Sequence, residues 1–192
     1  DANPPVMSHT LLKNKFMTNL DSNPCTFLVV IDNLRYDQWK MIQPIIQDYF
    51  KVDNEELFYS ILPSATQYAR NALFSGLLPS EMEKRYPDWW KNDEDEGGKN
   101  MHEEDFLNAQ LKRLGKDVKM SYNKITNFAA GKKLSENMSN LMNNKLNVIV
   151  YNFVDMLSHA RTELEMIREL ADDEPAYRSL TVSWFEHSPL LD

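Results

Sequence analysis

Asp32 ends the stretch T-F-L-V-V-I-D, and its position is the first sign of chemistry in the chain. Five apolar residues, Phe27 to Ile31, run up to it without interruption. Such a run is short for a helix and rich in β-branched side chains, which predicts a strand covered on both faces. A carboxylate at the carboxyl end of such a strand lies where open α/β sheets bind ligands. Half-burying that charge is costly without a neutralising partner, and a bound cation is the simplest one. Asp155 and His159, in D-M-L-S-H, form a second pair. Residues four apart share a helical face, and a carboxylate with an imidazole at that spacing can chelate zinc. The bland alternative is a capping Asp and a surface His. Thr66, in L-P-S-A-T-Q, stands where a helix begins. A helix N-terminus favours anions, yet Thr66 or Ser64 also reads simply as an N-cap, and taken alone the cap reading is the stronger. Arg35, Arg70 and Asn71 are near these groups in sequence. Either arginine could clamp a phosphate, although a surface ion pair is the commoner fate.

The elements that must hold these groups follow from the chain in order. Residues 1–26 read as a polar, Pro-containing linker and one leading helix, arriving from an upstream domain; residues 27–192 read as the domain proper. After Asp32, Asn33 breaks the pattern, and an amphipathic helix runs from Leu34 to about Phe50. Pro44 should kink or split it. E-L-F-Y-S-I-L predicts a second strand, and a helix with a Gly76 stop follows. The acidic, aromatic stretch from Ser80 to Gly98 reads as a surface excursion with its tryptophans tucked beneath. E-E-D-F-L-N-A-Q-L-K-R-L-G is a helix with acids in its first turn and Gly115 as its cap. D-V-K-M-S-Y predicts a third strand. N-F-A-A-G-K-K-L-S-E-N-M-S-N-L-M reads as a helix. L-N-V-I-V-Y-N-F-V-D predicts a fourth strand that ends at Asp155, and the last helix holds Trp184 to Leu191. Strands alternating with helices imply an α/β fold, a largely parallel sheet with helices on both faces.

Composition narrows the classes. The net charge is −8, from 29 acidic and 21 basic residues, which argues against binding long nucleic acid but leaves room for a small nucleotide held by metal ions. Cys25 is the single cysteine, so no internal disulfide can form, consistent with a reducing, cytoplasmic compartment. No apolar run is long enough to span a bilayer. Neither a P-loop nor a dinucleotide-binding glycine motif occurs.

Three ordered motifs, I-D-N-L-R-Y-D-Q-W, L-P-S-A-T-Q-Y-A-R-N-A-L-F-S-G-L-L-P and Y-N-F-V-D-M-L-S-H, resemble the PglZ domain of the alkaline phosphatase superfamily. Within that family they look most like the output domain of the response regulator of the type IX secretion system. The resemblance implies a two-zinc phosphodiesterase. Asp32 would ligate one zinc with Thr66 as nucleophile beside it, and Asp155 and His159 would ligate the other. It also implies small cyclic or linear nucleotides as substrates, an upstream receiver domain, a histidine kinase, and secretion-system or sigma-factor partners. In the family a further strand ending Asp-His-Gly and a later His follow. This chain reaches Asp192 before either, which predicts a fragment that is inactive on its own. The competing expectation is a degenerate phosphatase-like module that docks a partner protein, with D-W-W-K-N-D-E-D-E as the docking segment.

Overall fold

The computed structural model describes residues 4–91, 99–163 and 165–188, with the side chains at 99, 153, 159, 160, 162 and 163 left aside. Two units divide the chain, one from Asp1–Thr26 with Glu56–Lys119, the other from Phe27–Glu55 with Met120–Asp192.

The second unit holds a three-stranded parallel sheet of β1 (Thr26–Ile31), β2 (Met120–Ile125) and β3 (Leu146–Tyr151), in the order β1-β3-β2. β2 and β3 pair in register from Met120 opposite Leu146 to Ile125 opposite Tyr151. All six residues of β3 are buried. Its buried amide, Asn147, is satisfied: Nδ2 donates to the Leu141 carbonyl at 2.9 Å, and Oδ1 accepts from Ser121 Oγ at 2.6 Å. Burial of an amide is tolerable only on such terms. Around the sheet, Ile42, Ile125, Leu134, Ile149, Val154 and Phe185 form a core, with Phe27 and Ile31 packed against it.

Cover on both faces is expected of the strand Phe27 to Ile31, but the strand buried along its whole length is β3. β1 takes an outer place in the described sheet and is only half-buried, with Val29 43% exposed. Other expectations shift as well. E-L-F-Y-S-I-L forms no strand; Tyr59 makes a single bridge to Met7, and Leu57 and Leu62 are exposed. Composition gave this segment strand propensity, but a strand needs a neighbour along its length. The third strand is set later than D-V-K-M-S-Y. β3 ends at Tyr151, so Asp155 lies in the first turn of the next helix, Phe153–Glu163. Pro44 does not split the Tyr36–Tyr49 helix; it sits on the exposed face, where water can take the carbonyl it leaves unbonded. The helix expected across 127–142 is two, Phe128–Glu136 and Met138–Leu141, and the last helix is Glu174–Glu186.

In the first unit a leading run of helical turns from Ser8 to Ser22 buries Leu12, Met17 and Leu20. The helices Thr66–Ser75 and Glu103–Arg113 pack together, and Ala72, Phe74, Phe106 and Leu107 on them are fully buried. Gly76 caps the first of these with a φ of 65°, and a Cβ there would meet Gln110 at 2.8 Å. Trp89 does tuck in, stacked on Tyr86 at 4.7 Å and edge-on to Phe106 at 5.6 Å. The acidic residues that follow, 92–98, lie outside the described residues.

Candidate functional site

The sheet unit brings three chain segments to one edge. The Asp32 amide donates to the Tyr151 carbonyl at 3.0 Å, and the Asn152 amide donates to the Ile125 carbonyl at 3.1 Å. The carboxyl ends of all three strands are thus level. Asn33 turns the chain away from β1 with a φ of 59°, a left-handed conformation that a short polar side chain tolerates well. Asp32 and Asp155 are both half-buried there, one directly after β1 and the other four residues after β3. The backbone of His159 is one turn further along the helix of Asp155; its side chain lies outside the described set.

A collar of ion pairs fixes the turn that carries Asp32. The Arg35 guanidinium forks onto Asp37, with Nε at 3.1 Å and Nη2 at 3.0 Å, and Nη2 also meets Glu174 at 2.7 Å. Arg178 reaches Asp37 at 3.4 Å, and Arg161 reaches Glu174 at 3.2 Å. Two guanidiniums approach the Tyr177 ring, Arg35 at 5.5 Å and Arg161 at 4.6 Å from its centre. Hydrogen bonding by Arg35 holds the carboxyls of Asp37 and Glu174 below the usual range, and the same bonds raise Arg35. Beneath the collar, buried Gln38 accepts from the Arg35 amide at 2.9 Å and donates to Thr181 at 3.1 Å. The helix after Asp32 is thereby tied to the last helix.

Further along the same helix, four donors converge on Glu55. Trp39 Nε1 and Lys40 Nζ lie at 2.8 Å, Tyr36 Oη at 3.1 Å and Gln43 Nε2 at 3.4 Å. Hydrogen bonds from Lys40 first, then Trp39, hold the Glu55 carboxyl down at about 2.

Thr66, Arg70 and Asn71 belong to the other unit. Thr66 opens its helix and is half-buried; the cap position is Ala65, which offers no side-chain acceptor. Arg70 is 4% exposed, and its Nε donates to Glu103, itself 1% exposed. The ion pair expected for Arg70 is real but buried rather than on the surface. Asn71 is fully buried and donates to the Gln67 carbonyl at 2.8 Å. Sequence reasoning missed Glu103, Gln38 and Glu174 as the partners that set these groups. The available signal was a charged residue on the apolar face of an amphipathic helix, which Arg70 and Glu103 both show.

The donor types, carboxylate and imidazole, suit zinc. Among the described residues, no three His, Cys, Asp or Glu side chains come close enough to hold a metal ion. Asp32 and Asp155 therefore supply two carboxylates at one sheet edge and not a complete described site.

The parallel sheet with helices around it is consistent with an alkaline phosphatase-like domain. A family model of the BREX system PglZ alkaline phosphatase-like domain matches residues 11–186, and the chain belongs to that family. No curated protein matches the chain. Alkaline phosphatase-like proteins generally use metal ions. No helix among the described residues is long and apolar enough to cross a membrane.

Proposed function

We propose that the chain is part of a zinc-dependent phosphodiesterase that acts on small cyclic or linear nucleotides. The observation that carries this reading is the placement of Asp32 and Asp155 after neighbouring parallel strands in a chain of the PglZ family. Asp32, Asp155 and His159 serve as metal ligands, and Thr66 serves as nucleophile and ligand. When bound, zinc would supply the positive charge that lowers the hydroxyl pKa and balances the phosphoryl oxygens. The chain's own part is to orient. Asn33 and the Arg35 collar hold the turn of Asp32, and the Thr66 helix presents a hydroxyl at its first turn. The three sequence motifs also resemble the C-terminal domain of PorX, the response regulator of type IX secretion. That likeness supports a cytoplasmic output domain downstream of a receiver, with a histidine kinase and secretion-system or sigma-factor partners.

The test is hydrolysis of a chromogenic phosphodiester by the zinc-loaded protein containing this domain. Thr66→Ala is expected to abolish turnover while leaving zinc content and the circular dichroism spectrum as in wild type. Steady turnover by Thr66→Ala would overturn the assignment of the nucleophile.

A further inference from the structure

Side chains of the Glu103–Arg113 helix meet the Thr66–Ser75 helix with two different chemistries along its length. At its carboxyl end, Gln110 Nε2 donates to the carbonyls of Leu73 at 3.1 Å and Phe74 at 2.7 Å, and Arg113 donates to the Ser75 carbonyl. In its middle, the side chains of Arg70 and Glu103 form an ion pair at 3% and 1% exposure. Thr66 and Arg70 are four residues apart, so they lie on one face of the helix.

The pair is not needed for cohesion. The two helices pack together, and Ala72 and Phe74 on one and Phe106 and Leu107 on the other are fully buried. Apolar burial is non-directional and specifies the roll of a helix less sharply than a polar pair does. A guanidinium–carboxylate contact is directional, and taking both charges out of water costs more than packed hydrocarbon would. Glu103 lowers that cost because it opens its own helix, where the free amides favour a negative charge. Such pairs find their best-attested use in fixing register.

We propose that Arg70 and Glu103 are positioning residues for Thr66. They set the roll of the Thr66–Ser75 helix and hold the hydroxyl at its first turn in one orientation. This rests on the reading of Thr66 as nucleophile for its catalytic consequence, though not for its structural one. The ion pair works one turn from the hydroxyl and touches no substrate. The Gln110 clamp works at the far end of the helix, on the carbonyls of Leu73 and Phe74.

The test replaces the pair by packed hydrocarbon, Arg70→Met with Glu103→Leu, in the zinc-loaded protein. Glu103→Gln is carried alongside in case the double variant does not fold. The expected melting temperature of the double variant equals or exceeds that of wild type, while kcat falls about 100-fold at unchanged KM, as for a misplaced reacting group. Amide exchange at Tyr68 and Ala69, whose N–H groups both bond the Ala65 carbonyl, accelerates about tenfold, and that of Gly76 stays as in wild type. If Thr66→Ala abolishes turnover but the pair variants keep kcat and local exchange, the positioning role is wrong and the nucleophile stands. If Thr66→Ala retains turnover, the nucleophile is wrong, and exchange at Tyr68 and Ala69 alone decides the structural claim. A KM that rises while kcat holds would overturn the proposal in favour of direct substrate contact.

Discussion

The two units fasten their helices with the same chemistry in opposite surroundings. In the unit built from 1–26 and 56–119, the Arg70–Glu103 pair is sealed from water and Gln110 bonds carbonyls of the facing helix. In the unit built from 27–55 and 120–192, the core is an apolar sheet, and the charges stand outside it. There Arg35, Asp37 and Glu174 have side chains 41%, 44% and 51% exposed. The contrast teaches that counting ion pairs says little. A sealed pair is expensive to break because either partner left alone is a buried charge, whereas an exposed pair is screened and nearly free to lose.

The largest effect should therefore come from Glu103→Ala, which strands the Arg70 guanidinium and costs about 3–5 kcal/mol in urea unfolding. Glu174→Ala removes a partner of both Arg35 and Arg161, yet is expected to leave the midpoint close to wild type. Equal costs for the two would erase the comparison.

Next comes the apolar core. Leu146→Ala, in the fully buried β3, should cost about 2–5 kcal/mol by the same measurement. Val29→Ala, on half-covered β1, should stay within about 0.5 kcal/mol. A large loss at Val29 would mean that β1 is covered after all.

These two strands also show how far the sequence could be read. The apolar runs, the turn at Asn33, and the Gly76 and Gly115 stops are local signals, and each corresponds to a feature of the structure. Which strand would be central was not local, because it depends on sheet order. For the same reason E-L-F-Y-S-I-L, strand-like in composition, remains a single bridge. The acids and the Thr66 helix start were visible as residue types. Glu103, 33 residues from Arg70, was visible only as an acid at a helix start, since its partner is brought by folding.

Gly76→Ala sharpens the comparison from the backbone side. The substitution places a Cβ at a φ of 65° against Gln110, the contact that closes the helix end. A loss of about 1–2 kcal/mol is expected from the left-handed conformation. A neutral result would show that the Gln110 clamp yields easily.

The smallest effect is acid-dependent and belongs to the exposed unit. Glu55 binds its proton less readily when folded, at about 2 against an ordinary 4.5. Its contribution to stability is therefore complete above about pH 4.5 and fades as pH falls towards 2. Glu55→Gln should flatten that part of the stability–pH curve, its small loss being present at neutral pH and vanishing as pH falls towards 2. A curve identical to wild type between pH 4.5 and 2 would show that Lys40 and Trp39 do not hold the carboxylate in solution.

The central claim is that Asp32 and Asp155 hold metal at one sheet edge, and zinc stoichiometry tests it most directly. Wild-type protein, Asp32→Asn and Asp155→Asn would be dialysed against zinc, and bound metal measured per chain with folding checked by circular dichroism. The account predicts that each substitution lowers bound zinc while the fold persists. Undiminished zinc in both variants would contradict it.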